Sequence, residues 1–465
     1  MKLFSYRQRK INSSFLATND AGRFFSSGIE INTLAKKVDN HSMLLDAGMG
    51  FESSDDVYYN AHSFEKFRRL QTRKNLDYFI IIPTLRCNLS CSYCQVSRAN
   101  ENATGYDWTE EQYNLFLQLF EKHSGQRPKI EIQGGEPMLV FDRLITLFER
   151  LKTLRPNCQI VVCTNLQQLP AKFFDICNKF DLQISSSLDG PPEIHDQNRN
   201  QNKNSTASFF ENLSACIDAL GPKRVNLLPT ISEFGIMEDI ARTYIELGLN
   251  EIFLRPVNYQ GFARKKHKNS QSVSENWLTH YIAFLKWLFE FNERSDNQLI
   301  ETNFSIHLKR IFEPNFNNHV DFRNPNPVGQ DYIVVNFDGR IFPTDEARML
   351  ERIGIIDLSI GNLEDGIDLH KVEELNNIAK LDNFEACNRC AYKPFCGVDI
   401  VDLISKEGTL NVDMLETDHC KIHMSVFDFI FTQITSNTAI FRKNMNLHLT
   451  GQYSDTHLLI GSTYD

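Results

Sequence analysis

Strand-like and helix-like segments alternate along the chain from Asp77 onward, and this alternation constrains the fold most. Apolar runs suited to buried strands occur at Tyr78–Pro83, Lys129–Gln133, Gln159–Cys163, Leu182–Ser187, Arg224–Pro229 and Glu251–Arg255. Helices are predicted between them, at Glu110–His123, Asp142–Leu154, Ala171–Phe180, Ser208–Leu220 and Met237–Leu247. Such repetition predicts a parallel sheet with right-handed crossovers. Six units are too few for a closed eight-stranded barrel, so we expect an α/β fold, a partial (β/α)6 barrel of the TIM type.

The sequence on either side of this alternation predicts two further domains. Residues 1–75 contain two short strands around a turn and a helix candidate, which indicate a small N-terminal α+β module. Residues 76–310 hold the predicted barrel, with an amphipathic helix at Trp277–Phe291 near its end. Residues 311–465 begin with a loop and a hairpin and form the predicted C-terminal domain.

Composition and charge exclude several classes of protein. The chain has 49 Lys+Arg and 59 Asp+Glu, a net charge of −10, which argues against a broad nucleic-acid-binding face. No apolar run approaches the ~20 residues of a membrane helix, and the N-terminus lacks the apolar core of a secretory signal. We therefore expect a soluble, cytoplasmic protein without nucleic-acid or membrane partners.

The 11 cysteines are clustered rather than scattered. A first group comprises Cys87, Cys91 and Cys94, and a second comprises Cys387, Cys390, Cys396 and Cys420. Grouping of this kind in a long chain indicates metal ligation in a reducing compartment, not disulfides. The other four have apolar neighbours and are predicted to pack in the core: Cys158, Cys163, Cys177 and Cys216.

The first cysteine group directly follows the first predicted strand, at the end where barrel enzymes place their active sites. Three thiolates can ligate one inorganic centre. Zinc would want a fourth ligand, whereas a [4Fe–4S] cluster with three protein ligands leaves one iron open. The Cys-x3-Cys-x2-Cys spacing, with Tyr93 before the last cysteine, resembles the signature of the radical S-adenosylmethionine (SAM) superfamily.

The resemblance extends over roughly residues 77–257. Gly134-Gly135-Glu136-Pro137 follows the second strand, where the superfamily has its GGEP motif; we expect the glycines to admit a ligand close to the backbone and the carboxylate to take the amino group of SAM. Polar residues end the next strands in the family's order. The SAM contacts that the resemblance implies are Tyr93, Gly134, Gly135, Glu136, Pro137, Asn165, Ser187, Asp189, Arg199 and Leu254.

The resemblance implies a definite chemistry. In this superfamily the open iron binds SAM, and one electron from the reduced cluster cleaves it to methionine and a 5′-deoxyadenosyl radical. That radical removes a hydrogen atom from the substrate. The cofactors supply the difficult step, while the protein positions them and excludes water. A small electron carrier such as flavodoxin or ferredoxin is implied as the reductant.

The second cysteine group can close a structural zinc site or ligate every iron of a [4Fe–4S] cluster. Its Cys-x2-Cys-x5-Cys spacing after a barrel resembles the SPASM domain, which implies auxiliary clusters. Thr344 and Ile400 stand at positions where that family has further cysteines. Gly329 also lacks the cysteine partner that it has in the family. The resemblance therefore implies one auxiliary cluster here, and two [4Fe–4S] clusters in the whole chain.

SPASM-type proteins mostly modify peptides, which implies a polypeptide substrate. The segments Phe337–Leu350, Arg255–Asn258 and Gly261–Ala263 resemble the B-type radical SAM maturases of the His-Xaa-Ser peptide system. That resemblance implies a precursor peptide with His-Xaa-Ser repeats and a second radical SAM maturase as a companion. The N-terminal module would suit a leader peptide that adds a strand to a sheet edge. Asp345 is a candidate proton acceptor during oxidation, or else part of a solvated turn.

Two alternatives remain open. One is an enzyme like the anaerobic sulfatase maturases, which oxidise a Cys or Ser of a protein to formylglycine. The other is a non-catalytic, zinc-binding interaction protein with two cysteine sites, in which the glycine-rich loop would have no function.

Overall fold

The structure is a computed structural model, and it describes residues 1–68, 76–200, 203–231, 234–257, 259–261, 264, 270–313, 323–324 and 326–455. Asn258, Phe262 and Ala263, and most of the predicted loop and linker residues around positions 69–75 and 314–322, lie outside the described residues.

The N-terminal segment forms an antiparallel sheet with short helices. Its strands are β1 (Lys2–Leu3), β2 (Tyr6–Ile11), β3 (Ser14–Asn19), β4 (Phe24–Ser27) and β5 (Gly50–Phe51), and its helices are α1 (Ile31–Leu34), α2 (His41–Asp46) and α3 (Ser54–Arg68). The predicted β3–β4 hairpin is present, and β2 joins it in the order β2-β3-β4. The sequence pattern missed β2, because its YRQRKI run carries no apolar alternation.

Residues 76–256 contain the strand–helix repeats. The strands are β6 (Leu76–Thr84), β7 (Arg86–Cys87), β8 (Ala99–Asn100), β9 (Ser124–Gly134), β10 (Gln159–Cys163), β11 (Leu182–Ser186), β12 (Val225–Leu227), β13 (Thr230–Ile231), β14 (Glu251–Ile252) and β15 (Arg255–Pro256). The helices are α4 (Glu110–His123), α5 (Phe141–Leu154), α6 (Phe173–Phe180), α7 (Pro192–His195), α8 (Lys203–Leu220) and α9 (Met237–Glu246).

Five of these strands form a parallel sheet in the order β12-β11-β10-β9-β6, which confirms the predicted α/β class. One face of the sheet is covered by helices. Phe79, for example, lies on that face and its ring packs 5.2 Å from Phe120 of α4. The carboxyl ends of β6, β9, β10 and β11 therefore lie at one edge, as the motif positions require.

The sixth predicted strand does not join this sheet. Its residues form β14 and β15 instead, and β15 pairs with the two-residue strand β13. Pro229 ends the fifth predicted strand and Pro256 directly follows the sixth. Proline lacks the N–H group that a central strand needs in its hydrogen-bond ladder, so neither predicted strand can continue through its proline.

Residues 270–378 contain further helices and strands, and four of these strands extend the sheet beyond β6. The elements are α10 (Ser270–Arg294), β16 (Ile300–Glu301), α11 (Thr302–Phe312), β17 (Tyr332–Val335), β18 (Arg340–Phe342), α12 (Asp345–Arg352), β19 (Gly361–Asn362), β20 (Gly366–Ile367) and α13 (Leu369–Ile378). Strand β17 pairs in parallel with β6, and β18 forms the predicted hairpin with it. The sheet thereby reaches nine strands within the described residues.

The last segment is helical, with α14 (Glu385–Arg389), α15 (Ile400–Glu407), α16 (Asp418–Ser436) and α17 (Ala439–Thr450). None of the helices in the described part of the chain, the 25-residue α10 included, is apolar enough over its length to cross a membrane.

Contacts divide the chain into two compact units. The barrel unit comprises Thr72–Val273 and Pro327–Asn377, and the terminal unit comprises Met1–Gln71, Ser274–Asn326 and Ile378–Asp465. The three contiguous domains expected from the sequence stay a prediction.

Candidate active site and four-cysteine pocket

The first cysteine group lies on a loop of residues 85–95, the cysteine loop, directly after β6. The base of the loop is anchored by Arg86, whose Nε and Nη2 donate to the two carboxylate oxygens of Asp107 at 2.8 Å each. Thr84 Oγ1 donates to the same carboxylate at 2.6 Å. This bidentate pair holds the start of the loop against the segment that precedes α4.

Gly134 and Gly135 bring the end of β9 against the cysteine loop. A Cβ at Gly134 would lie 2.1 Å from the carbonyl oxygen of Thr84, and one at Gly135 would lie 2.0 Å from that of Arg86. Gly135 N donates to Thr84 O at 3.0 Å. The two glycines therefore allow the chain's own backbone to approach closely. The sequence had predicted that they allow a ligand to approach instead.

Glu136 follows the glycines and is buried, with 2% of its surface exposed. Its carboxylate accepts from Thr164 Oγ1 at 2.8 Å, from Asn165 N at 2.7 Å and from Met138 N at 3.0 Å. Burial raises its pKa to about 6 against the lowering effect of these bonds. A carboxylate has about four acceptor positions, so one remains for a further donor.

Asn165 connects β10 to the cysteine loop. Its Nδ2 donates to Asn88 Oδ1 at 2.7 Å and lies 3.9 Å from Cys87 Sγ. Burial raises the pKa of the Cys87 thiol to about 12, with smaller contributions from Glu136 and the neighbouring thiols. The Cys87 thiol is therefore protonated at neutral pH unless a metal centre binds it.

Tyr93, Asp189 and Arg199 form one buried cluster. Tyr93 Oη and Arg199 Nε both donate to Asp189 Oδ2, the second at 2.8 Å, and the Asp189 side chain has no exposed surface. The other oxygen, Oδ1, accepts from Thr230 N at 3.0 Å. Three residues that the sequence assigned separately to SAM are thus bound to one another.

The π-helical turn Asp196–Asn200 presents Arg199 to the cysteine loop. Ser92 N donates to Asn198 O at 3.1 Å, which joins the loop to this turn. Burial raises the pKa of the Cys91 thiol, and the nearby Arg199 charge lowers it. A cation beside the loop is suited to an anionic thiolate centre.

The remaining predicted SAM contacts lie at or beyond strand ends. Ser187 is half-buried directly after β11, Pro137 is buried at the first position of a 3-10 turn, and Leu254 is fully buried before β15. Their part in binding SAM stays a prediction.

A second polar cluster, which the sequence analysis missed, lies on the face of the sheet away from the helices. Glu131 accepts from Tyr78 Oη at 2.6 Å, Gln133 Nε2 at 2.5 Å and Cys163 Sγ at 3.5 Å, and pairs with Lys129 at 2.9 Å. The alternation Lys-Ile-Glu-Ile-Gln in β9 is the signal that could have revealed it. Cys163, predicted as a core residue, is half-buried and belongs to this polar cluster. Cys158, Cys177 and Cys216 are buried core residues, as predicted.

Asp345 begins α12, where Thr344 caps the helix. Its Oδ1 accepts from Nε of Arg348 at 2.9 Å and lies 2.8 Å from Nη2 of the same guanidinium, and Arg348 is 1% exposed. The register Phe342↔Val334 and Val334↔Ile80 places the start of α12 toward the amino ends of the parallel strands. The cysteine loop lies at their carboxyl ends, roughly 20 Å away at ~3.3 Å per residue.

The second cysteine group lines one pocket of the terminal unit, with an atom-free volume of about 390 Å³, open solvent included. All four cysteines contribute to its lining, together with Lys393 and His419. Cys387, Cys390 and Cys396 lie on the segment 387–396, while Cys420 lies in the first turn of α16. Burial raises the pKa of Cys387 and of Cys420 to about 12.

Within the described residues, no three His, Cys, Asp or Glu side chains are grouped closely enough to hold a single metal ion. A cubane cluster makes a different demand, since each thiolate binds a different iron. The thiol donors, the cation beside Cys91 and the pocket that gathers the other four thiols fit such clusters.

Comparison with known proteins agrees with this site. Residues 81–247 match the Radical SAM superfamily. An uncharacterized protein of Methanothermobacter thermautotrophicus is 26% identical over 37% of the chain, which spans 64% of that relative's length. An uncharacterized protein of Archaeoglobus fulgidus is 19% identical over 77% of the chain and 82% of its own length.

Two solved proteins share the fold. The enzyme anSMEcpe with bound AdoMet is 17% identical, with a TM-score of 0.61 over 81% of this chain and 99% of its own. Streptococcus suis SuiB bound to S-adenosylmethionine is 14% identical, with a TM-score of 0.50 over 87% and 96%. Residues 81–247 are therefore a radical SAM domain, and the chain is an enzyme built on it.

Proposed function

We propose that this enzyme is a peptide maturase that uses SAM and a [4Fe–4S] cluster to modify a ribosomally made precursor peptide. The observation that carries the proposal is the cysteine loop itself. Glycine contacts, the Arg86–Asp107 pair and Asn165 hold its three thiols at the carboxyl edge of the sheet, beside the Arg199 cation.

The residues at this edge have distinct tasks. Cys87, Cys91 and Cys94 would hold the SAM-binding cluster, which with SAM supplies the one-electron chemistry that the superfamily uses. The free acceptor position of Glu136 would receive the amino group of SAM. Arg199 keeps Tyr93 and Asp189 in place beside the loop. Cys387, Cys390, Cys396 and Cys420 would hold the auxiliary cluster.

The substrate class is supported by two observations. The segments quoted above resemble the B-type maturases of the His-Xaa-Ser system, and anSMEcpe, which shares the fold, has been solved with bound AdoMet and a peptide. We propose a precursor with His-Xaa-Ser repeats, a companion radical SAM maturase and a flavodoxin or ferredoxin as the electron donor. Strand β2, an edge strand among the described residues, is proposed to receive the leader peptide.

Co-expression tests this proposal. A small peptide encoded beside this chain is expressed with the wild type and with Cys91→Ala, and its mass is measured. We expect a mass change that the variant abolishes. An unmodified peptide with the active wild type would contradict the substrate proposal.

Anaerobic reconstitution tests the cofactor assignment separately. The wild type should form 5′-deoxyadenosine from SAM with a strong reductant, and Cys91→Ala should not. Cys390→Ala should lose about half of the iron and retain some cleavage of SAM alone, since it affects only one of two clusters. A chain that binds zinc and leaves SAM intact would instead support the zinc-binding alternative.

A second candidate, formation of formylglycine as in the anaerobic sulfatase maturases, is favoured by the fold shared with anSMEcpe. Asp345, whose carboxylate is held by the buried Arg348, lies roughly 20 Å from the cysteine loop, so the proton acceptor for this reaction would have to be another group. A sulfatase-derived peptide with Cys at the target position tests it. A mass loss at that residue, with a His-Xaa-Ser peptide untouched, would replace the first proposal by this one.

A further inference from the structure

The N-terminal sheet uses both of its faces. Ala17 and Phe25 on one face pack in the core of the N-terminal segment, with Ile31 and Leu44. The opposite face, which we call the pocket face, comprises Arg7, Arg9, Leu16, Thr18, Phe24 and Ser26. Because side chains alternate along a strand, these six residues share one side of the sheet.

The pocket face contacts the segment that carries three of the pocket cysteines. Arg7 Nε donates to the carbonyl oxygen of Asn388 at 2.7 Å, and Thr18 Oγ1 donates to that of Ala391 at 2.6 Å. These two carbonyls lie on either side of Cys390. The backbone N–H of Tyr392, which follows Ala391, donates to Cys390 Sγ at 3.4 Å.

The same face contacts α16, which carries Cys420. Arg9 donates through two nitrogens to the two carboxylate oxygens of Asp428, at 2.7 Å each. Tyr392 Oη donates to the same Asp428 at 2.5 Å, and Arg9 lies over the Tyr392 ring. Phe24 packs edge-on against Phe431, 5.2 Å away.

Two independent links therefore join the same two segments. The pocket face joins segment 387–396 to α16 from one side, and a group ligated by the four cysteines would join them from inside the pocket. Each link restricts the relative motion of the segments and so lowers the entropy cost of forming the other. Linkage of this kind is reciprocal.

We infer that occupancy of the four-cysteine pocket is coupled to the order of the N-terminal sheet, so that the loaded chain presents β2 to a peptide better than the empty one. The effect on peptide binding rests on the proposed function. The coupling itself requires only that the four cysteines share one bound group, whether cluster or zinc.

Metal retention tests the coupling from one direction. In a background with Cys87, Cys91 and Cys94 replaced by Ala, the remaining iron or zinc belongs to the pocket. Arg9→Ala and Thr18→Val should lose that metal to a chelator about fivefold faster or more. Lys10→Ala is the matched control, because Lys10 is an exposed residue of the same strand on the opposite face. Retention in Arg9→Ala equal to that in Lys10→Ala would overturn the inference.

Hydrogen exchange tests it from the other direction and needs no variant. Amides of residues 6–27 in the wild type should exchange faster after a chelator has emptied the pocket, while amides of α4 and α5 in the barrel unit should not change. Unchanged exchange in residues 6–27 would overturn the coupling.

Arg9→Lys should recover part of the metal retention, and circular dichroism shows whether each variant is folded. Neither readout involves SAM, so a failure of the proposed function would be seen separately, as absent SAM cleavage.

Discussion

The guanidinium of Arg199 lies over the ring of Tyr93, with its central carbon 5.3 Å from the ring centroid, and both side chains donate to the same oxygen of Asp189. The aromatic residue of the cysteine loop is therefore fixed by a buried ion pair between the loop that follows β11 and the turn after α7. This arrangement positions the loop through contacts between side chains nearly a hundred residues apart.

Replacement of Arg199 tests the importance of that ion pair. Arg199→Gln should lower the free energy of unfolding by about 3 kcal/mol, because the Asp189 carboxylate is then buried without its counter-charge. Chemical denaturation measures the change. Adding Asp189→Asn should recover part of the loss. Lys179→Gln, which breaks an exposed pair with Glu149, should change stability by about 0.5 kcal/mol or less. Equal effects at the two sites would refute the prediction.

Gly135→Ala should disrupt the cysteine loop. The added Cβ would lie 2.0 Å from the Arg86 carbonyl oxygen, and a backbone atom cannot move away as a flexible side chain can. We expect a loss of about 3 kcal/mol of stability and reduced iron incorporation. Gly28→Ala is the control, since nothing lies within 4 Å of a Cβ there. Wild-type iron content in the Gly135 variant would show that the loop tolerates the shift.

Asp345→Asn tests the proposed proton acceptor. Because Asp345 lies at the opposite end of the strands from the cysteine loop, it is out of reach of a substrate held beside that loop, and peptide modification and SAM cleavage should both continue at about the wild-type rate. The neighbouring Glu346→Gln serves as the control. Product mass and 5′-deoxyadenosine are quantified in parallel. A loss of peptide modification in Asp345→Asn alone, with SAM cleavage retained, would contradict this expectation and show that Asp345 acts on the substrate.

His448 should make the protein sensitive to mild acid. It is buried, accepts from Glu301 N at 3.0 Å, and burial lowers its pKa to about 4. Between pH 6.5 and 4 the unfolded chain thus binds a proton that the folded chain does not. Stability should fall over this range, by up to about 3 kcal/mol.

Melting temperatures across that pH range measure the effect. His448→Gln should be less stable at pH 7 and show a shallower decline toward pH 4. His370→Gln, at an exposed site, should follow the wild type. A parallel decline in His448→Gln and the wild type would assign the acid sensitivity to other groups.

Local patterns predicted most of the elements in the barrel unit. Helix α4 spans the predicted Glu110–His123, and β10 begins and ends where its apolar run does. Such features depend on residues a few positions apart. Strand β2 was missed because its charged side chains are used against a segment nearly four hundred residues away.

The sequence by itself determined the chemistry that is available: two groups of thiols, a glycine pair before a carboxylate, and the periodicities of an α/β sheet. The tertiary structure alone decided how those groups are used. It closed Gly135 against Arg86, bound Tyr93 and Arg199 to Asp189, and placed the N-terminal sheet on the segment around Cys390. The physical reason is that buried polar groups must find partners, and a compact chain supplies those partners from distant segments that no local pattern specifies.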